Sequence, residues 1–145
     1  MKENPLETIE LEMAVLTRRL TSITADKRNA ILDRSAYLLL HQLYLQGSSG
    51  VKALADEFQL DISTVSRQAA ALEKKGYVVK VPDAMDGRAY FYQITDFGTK
   101  MLVEYKQGRL DRVTKLLNGW SDEDCEKFGD LLRKFNQSIM RKKTE

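Results

Sequence analysis

The first apolar positions of the chain recur at alternating spacings of three and four residues. They form a seam through Leu6, Ile9, Met13, Leu16, Leu20 and Ile23. This spacing is typical of an amphipathic helix whose apolar stripe packs against another helix. Pro5 suits the first turn of that helix, where a missing backbone N–H costs nothing. We therefore predict a long first helix with one strongly apolar side.

Three shorter helices are predicted between residues 35 and 76. The second helix runs from about residue 35 to 45 with Ser35 as its N-cap, and the Gly-Ser-Ser-Gly sequence at 47–50 ends it. The third helix covers residues 51–58. The fourth covers 63–75 and is closed by Gly76, because glycine readily adopts the left-handed conformation that ends a helix.

The apolar period then changes from that of a helix to that of a strand. Residues 77–81 and 89–95 are rich in β-branched and aromatic side chains, which favours two strands. Pro82 suits the end of the first strand, and residues 83–88 form a polar tip that contains Gly87. We predict a small β-hairpin.

Two further helices complete the prediction. The first carries apolar positions from Phe97 to Trp120, and Asn118-Gly119 ends it. Ser121, followed by three acidic residues, is a capping signature for the last helix. The predicted fold is mainly α with a small β-hairpin wing, an α+β arrangement. Residues 35–95 have the element order of a winged helix-turn-helix.

Composition removes several classes of protein. The chain has 145 residues, 43% hydrophobic and 30% charged, which suits one globular domain. One cysteine and one histidine exclude a disulfide framework and a typical transition-metal shell, so no metal and no cofactor are predicted. No phosphate-binding glycine loop or nucleophile elbow is present, and we predict that the protein is not an enzyme. No membrane span or signal peptide is predicted, and a cytoplasmic location is expected.

The fourth predicted helix carries the candidate DNA-binding residues. At about 100° per residue, Val65, Ala69 and Leu72 share one face, which must be the core. The opposite face holds Ser63, Arg67, Ala70 and Lys74, with Thr64 and Ser66 on its flanks. An α-helix fits the DNA major groove, where Arg67 could pair with guanine and the small hydroxyl residues could contact phosphates or base edges.

The same residues have a plainer interpretation. Ser63 and Thr64 could be helix caps, and Arg67 a solvated surface residue. Residues 63–82 carry four basic side chains against one acidic, a local charge of +3, which also suits an ordinary solvated face. The pattern of the whole face beside the hairpin, rather than its charge, favours contact with double-stranded DNA.

Several short segments together resemble the DNA-binding core of MarR-type transcriptional regulators. They are Leu54-Ala55, the run Leu60-Asp61-Ile62-Ser63-Thr64-Val65-Ser66-Arg67, the run Leu72-Glu73-Lys74-Lys75-Gly76-Tyr77-Val78, Asp83, Asp86-Gly87-Arg88-Ala89, and Ile94-Thr95-Asp96-Phe97-Gly98. The resemblance implies a homodimeric transcription factor, expected to be a repressor that binds a pseudopalindromic operator and is released by a small-molecule effector. It implies one domain over 1–145, with dimerisation helices at about 1–30 and 97–143 around a DNA-binding core at about 35–95.

The resemblance also implies roles for the hairpin tip. A wing arginine enters the minor groove in the family and corresponds to Arg88, and an aspartate that orients it corresponds to Asp86. Many members carry a basic residue where this chain has Met85, so we expect Arg88 to provide most of the wing's contribution. Asp86-Gly87 is also an ordinary hairpin-turn signal, and both interpretations hold together.

The apolar stripes of the terminal helices point independently to a dimer. They flank a core too small to cover all of them, and an unpartnered amphipathic helix seeks another surface. The predicted dimerisation residues are Leu6, Ile9, Met13, Leu16, Leu20, Phe128, Leu132 and Phe135. A monomeric bundle in which the three helices pack together is the alternative.

A small-molecule site is expected on the second helix. The resemblance implies a small aromatic or anionic effector between the dimer region and the DNA-binding core, and Tyr37 and His41 lie one turn apart there. A single histidine on a leucine-rich helix is more often a packed or partly exposed structural residue than a ligand contact. Cys125 follows acidic residues, which disfavour its thiolate, and is interpreted as structural. A winged-helix module that contacts proteins instead of DNA is the alternative function.

Overall fold

The structure is a computed structural model that describes residues 4–24 and 34–144. Helix α1 (Pro5–Thr24) belongs to a first unit, and a second unit begins at Arg34. The second unit contains α2 (Arg34–Gln46), α3 (Val51–Phe58), α4 (Ile62–Lys74), β1 (Val78–Pro82), β2 (Tyr90–Ile94), α5 (Asp96–Leu116) and α6 (Asp122–Thr144). The predicted fold class is confirmed. Within the described ranges, no helix is long and apolar enough to cross a membrane.

Helix α1 begins where its sequence predicts. The backbone N–H of Leu6 donates to Asn4 Oδ1 at 2.9 Å, and Pro5 occupies the first turn. All side chains from Pro5 to Leu20 are exposed, including the predicted apolar seam up to Leu20. Residues 1–3 and 25–30 of the predicted first dimerisation segment, and the side chain of Ile23, lie outside the described residues.

The core of the second unit lies between α2, α3, α4 and the hairpin. Its buried side chains are Leu39, Leu40, Leu43, Leu54, Ala55, Val65, Ala69, Leu72, Tyr77, Val78, Tyr92 and Leu102. Val65, Ala69 and Leu72 are at most 2% exposed, so the predicted core face of α4 is confirmed. Burial of this face leaves the opposite face of α4 toward solvent.

Two helices start at residues other than those predicted. Asp61 has extended backbone angles (φ −66°, ψ 145°) and is the N-cap of α4, which therefore begins at Ile62. The N-cap predicted at Ser35 is wrong, because α2 begins at Arg34 and Ser35 lies inside its first turn. Both shifts are one residue long, since a sequence pattern marks helix ends less sharply than backbone geometry does.

The C-terminal end of α4 is closed as predicted. Gly76 has φ +82°, and its N–H donates to the Glu73 carbonyl at 3.0 Å. The Tyr77 N–H donates to the Leu72 carbonyl, also at 3.0 Å. This pair of bonds is a Schellman motif, in which glycine takes the left-handed conformation at low cost.

The hairpin is joined to the loop before α3. Strands β1 and β2 are antiparallel, with Val78 opposite Ile94. The Ser49 N–H donates to the Tyr92 carbonyl at 3.1 Å, and the Tyr92 N–H donates to the Ser49 carbonyl at 2.9 Å. Burial is the main reason that the pKa of Tyr92 is raised from its ordinary value of 10.0 to about 12. The packed base of the wing therefore favours the neutral phenol.

The start of α5 is packed closely against the segment that follows α4. The Thr95 hydroxyl donates to the Gly76 carbonyl at 2.7 Å and accepts from the Gly98 N–H at 2.9 Å. The Thr95 N–H donates to the Tyr77 carbonyl at 3.0 Å. A Cβ added at Gly98 would lie 2.1 Å from the Tyr77 carbonyl oxygen, where no side chain fits. We call these contacts the Thr95–Gly98 junction.

Candidate nucleic-acid interface

An exposed stripe runs along α4 opposite its core face. Its residues are Ser63, Arg67, Ala70 and Lys74, which are exposed, with Thr64 and Ser66 half-buried at its edge. The spacings of four, three and four residues keep the exposed members on one side of the helix. The structure thus brings together, on one surface, all six α4 residues that the sequence assigns to DNA contact.

The N-terminal end of this stripe is open to a ligand. Asp61 makes no side-chain capping bond, and the first N–H groups of an α-helix have no intrahelical acceptor. Ser63 and Thr64 occupy the second and third helical positions, so neither is the N-cap. Free N–H groups and the positive end of the helix dipole favour a phosphate at this place.

The wing tip is shaped by two aspartates. Asp83 Oδ1 accepts from the Met85 N–H at 2.8 Å, and Asp86 Oδ1 accepts from the Arg88 N–H at 3.0 Å. Met85 is 94% exposed, and the Arg88 side chain is also exposed. Among the described residues, Asp86 forms no ion pair with the Arg88 guanidinium. In this structure the turn at Gly87 places the Arg88 backbone N–H at the carboxylate. The role of Asp86 in orienting the Arg88 side chain on DNA stays a prediction.

Lys80 connects the wing to α4. Its Nζ lies 3.9 Å from Glu73 Oε1 and 4.5 Å from the centre of the Tyr90 ring. The ion pair partly neutralises the negative charge of Glu73 on α4, and the cation–π contact with Tyr90 holds the Lys80 side chain on the hairpin surface. The basic groups Arg67, Lys74 and Arg88 form no ion pair within the described part of the chain. They are available for phosphates or base edges.

A second cluster lies between α2 and α5. Tyr37 stacks on His41 with ring centres 6.0 Å apart and meets Tyr105 at 5.0 Å. The Arg109 guanidinium carbon lies 5.7 Å from the centre of the Tyr37 ring and 5.8 Å from that of Tyr105. Sequence reasoning missed Tyr105 and Arg109. Their spacing of four residues was visible, but no local signal shows that this side of α5 faces Tyr37.

The predicted dimerisation residues form exposed apolar surfaces. Leu6, Ile9, Met13, Leu16 and Leu20 on α1 and Phe128, Leu132 and Phe135 on α6 are 39–71% exposed. Trp120 meets Phe128 with ring centres 5.5 Å apart, which extends the apolar surface of α6 to the preceding turn. Exposed apolar surface of this extent marks an interaction site.

Metal-binding chemistry is sparse in the described part of the chain. The residues whose placement is described contain no group of three or more His, Cys, Asp or Glu side chains that could hold a metal ion. Cys125 is a free, half-buried thiol on α6.

Sequence and structure comparisons agree with this geometry. The MarR family model matches residues 32–90. YxaD of Bacillus subtilis strain 168, an uncharacterized HTH-type transcriptional regulator, is 43% identical over 139 residues, covering 95% of this chain and 97% of YxaD. YwaE of the same organism, another uncharacterized HTH-type transcriptional regulator, is 25% identical and covers 96% and 86%.

Solved structures share the whole fold. A MarR family protein from Bacillus stearothermophilus has a TM-score of 0.73 at 22% identity, covering 96% of this chain and 99% of that one. The PcaV regulator from Streptomyces coelicolor, solved with its natural ligand, has a TM-score of 0.72 at 19% identity with the same coverage.

The fold and the exposed stripe define the class: a winged helix-turn-helix transcriptional regulator that binds DNA. The chain belongs to the MarR family. Regulators of this family bind DNA and act as dimers. The relatives found are transcriptional regulators rather than enzymes.

Proposed function

We propose that the protein is a homodimeric, cytoplasmic repressor that binds a pseudopalindromic operator, and that residues 1–145 form a single domain in each protomer. The helix α4 lies in the major groove, and Arg88 at the wing tip enters the minor groove. The exposed stripe of Ser63, Arg67, Ala70 and Lys74 beside the wing carries this proposal, since its opposite face is the buried core. A symmetric dimer presents two such stripes, so its operator must contain two half-sites related by the same two-fold symmetry.

The residues of α4 divide into base-reading and phosphate-contacting groups. Arg67, in the middle of the stripe, can form a bidentate pair with guanine O6 and N7, and Ala70 can contact a thymine methyl. Ser63, Thr64 and Ser66 lie near the open N-terminal end and suit phosphates or base edges. Lys74, in the last turn, suits a phosphate because a lysine ammonium acts as a point charge.

Arg67→Ala and Lys74→Ala test this division. On the operator selected by the parent protein from random DNA, Arg67→Ala should cost about 1–3 kcal/mol and relax preference at one position per half-site. Lys74→Ala should weaken binding to operator and random DNA alike. Binding isotherms on both DNAs measure the difference. Equal losses on the two DNAs for Arg67→Ala would reject the base-reading role.

Salt dependence separates a DNA-binding regulator from a protein-contact module. Each phosphate neutralised by Lys or Arg releases condensed counterions, so operator affinity should fall steeply as salt rises. The slope of log affinity against log salt should decrease by about 1 in Lys74→Ala. DNA binding that is absent, or independent of salt, favours the protein-contact module.

Substitutions in the wing test a separate prediction, because an Asp86 carboxylate oxygen accepts the Arg88 N–H and so shapes the turn. Asp86→Asn keeps an acceptor for the Arg88 N–H and removes a negative charge near phosphate, so it should bind the operator as well as the parent or more tightly. Asp86→Ala loses the acceptor and should bind more weakly than Asp86→Asn. Arg88→Lys keeps the charge but loses the planar fork, at a cost of about 1 kcal/mol. If Asp86→Ala matches Asp86→Asn, the turn bond has no role in binding.

The α2–α5 cluster supports release by an aromatic or anionic effector. Tyr37, His41 and Tyr105 offer aromatic faces, and Arg109 offers a guanidinium for an anion. PcaV, which has the same fold, was solved with its natural ligand. The cluster lies between α2 of the DNA-binding core and α5, a proposed dimerisation helix, so a ligand there would alter their contact.

Benzoate, the simplest aromatic carboxylate, is a suitable probe. It should weaken operator binding by the parent, and Arg109→Gln should need about tenfold more benzoate, the contribution of one charged hydrogen bond. Arg112→Gln, on the same helix and outside the ring contacts, is the matched control. Equal responses of the parent and Arg109→Gln would remove this cluster from the effector site.

Repression is tested in cells. If the protein is a repressor, transcripts of the genes next to its operator should rise in a strain that lacks the protein.

A further inference from the structure

Gln59 lies in the turn between α3 and α4 with left-handed backbone angles (φ 54°, ψ 46°). It is the one described residue other than glycine that has positive φ. The Leu60 N–H donates to the Ala55 carbonyl at 2.9 Å, so this conformation ends α3 and directs the chain toward α4. A residue with a Cβ adopts these angles at a cost in free energy, which other contacts must offset.

The Gln59 side chain makes a contact across 81 positions of sequence. Its Nε2 donates to the Met140 carbonyl at 3.0 Å, near the end of α6. Gln59 Oε1 is buried and has no hydrogen-bond partner among the described residues. From Asp122 to Ile139 every α6 side chain except Cys125 is exposed, whereas Met140 is half-buried. The α6 helix therefore becomes covered at the point where it meets the turn before α4.

Helix α4 is thus attached at both ends, to two different helices. The Thr95–Gly98 junction ties the segment after its C-terminal end to α5 through several hydrogen bonds and close packing. The Gln59–Met140 hydrogen bond ties the turn before its N-terminal end to α6. The first attachment leaves no space for movement. The N-terminal half of α4 also packs in the core through the buried Val65, so the Gln59–Met140 bond ties α3 and α4 together to α6. This contact with α6 is one hydrogen bond made by a residue in a costly conformation, and it is the weaker of the two attachments.

We propose that Gln59 is a positioning residue that fixes the orientation of the packed α3–α4 pair on α6 and so the half-site spacing that the dimer accepts. This rests on the proposed binding of an operator by a dimer held through α6. One inserted base pair displaces a half-site by about 3.4 Å along the DNA and turns it by about 35° around the DNA axis. Releasing the Met140 carbonyl lets the α3–α4 pair change its orientation on α6, which lowers the cost of binding a half-site displaced in this way.

Two substitutions break the bond in different ways. Gln59→Gly removes the side chain and suits the left-handed angles, so the turn should keep or gain stability. Gln59→Glu keeps the shape but replaces the donor by a negatively charged acceptor facing the Met140 carbonyl. Gln137→Glu, an exposed position one turn earlier on α6, adds the same charge without touching the bond and is the control.

The experiment measures binding to three DNAs: the operator selected by the parent, and versions with one base pair inserted or deleted between the half-sites. The parent and Gln137→Glu should discriminate strongly against the altered spacings. Gln59→Gly and Gln59→Glu should lose about three- to tenfold of that discrimination, the factor expected from one net hydrogen bond. They should keep the parent's base preference within each half-site and its dimeric mass. A purely structural role would lower affinity for all three DNAs together and leave the ratio unchanged.

Unchanged spacing discrimination in both Gln59 variants, with dimeric mass retained, would overturn the positioning role alone. A parent protein that is monomeric, or that binds all three DNAs equally, would overturn the proposed dimeric operator binding and the positioning role with it. The parent's own data therefore separate the two failures.

Discussion

Gly98→Ala should destabilise the protein by about 3 kcal/mol, although alanine is the better helix former. The added Cβ would lie 2.1 Å from the Tyr77 carbonyl oxygen and 2.9 Å from its carbon. That carbonyl cannot move freely, because it accepts the Thr95 N–H at 3.0 Å. A loss of this size lowers the thermal midpoint of a chain this long by about 10 °C. Calorimetry or urea unfolding at fixed protein concentration measures it.

Gly108→Ala in the same helix is the matched control. A Cβ there meets nothing within 4 Å, and its φ is not in the left-handed region. It should therefore stabilise the protein by about 0.5–1 kcal/mol, the ordinary helix preference for alanine over glycine. Replacing glycine by alanine in α5 should therefore lower the free energy of unfolding at Gly98 and raise it at Gly108. If Gly98→Ala is as stable as the parent, the close packing of the Thr95–Gly98 junction is wrong.

Leu16→Asp should convert the dimer to a monomer. Leu16 lies in the apolar seam of α1 and is 53% exposed in one protomer. Burying a leucine contributes about 1.5–3 kcal/mol, and a symmetric dimer loses that twice. The dimer dissociation constant should rise by at least about a hundredfold. Sedimentation over a concentration series measures the mass, and operator binding should weaken with it, because each monomer then meets one half-site alone.

Ala14→Asp places the same charge on α1 outside the seam and should remain dimeric. Ala14 is exposed and about 160° around the helix from Leu16. Leu132→Asp on α6 should act like Leu16→Asp if both helices belong to one interface. A dimeric Leu16→Asp beside a monomeric Leu132→Asp would assign the interface to α6 without α1. Dimeric mass in both variants would reject the proposed interface.

The sequence predicted the order of all elements because each leaves a local signal. Val65, Ala69 and Leu72 share a helical face that is apolar, and the structure buries that face. Gly76 signals the end of α4, since glycine takes the left-handed conformation at low cost. The exposed stripe of α4 follows from the same periodicity, so the sequence alone predicts its six residues. Local errors, such as Ser35 as an N-cap, amount to one residue.

Contacts between distant elements were decided only by tertiary structure. Periodicity identifies which side of α2 or α5 is apolar, but not that Tyr105 and Arg109 meet Tyr37. The turn geometry likewise decided that the Asp86 carboxylate accepts the Arg88 backbone N–H, because a carboxylate two residues from Arg88 can reach either that N–H or the side chain.

The two attachments of α4 show the limit of the sequence most directly. Gly98 is an unremarkable glycine in a helix until the Tyr77 carbonyl is placed against it. Gln59 and Met140 are 81 positions apart, and neither residue type signals the other. Residue patterns report whether a position is buried or exposed along its own element. Which groups meet across elements depends on how those elements pack, and that packing minimises the free energy of the whole chain at once.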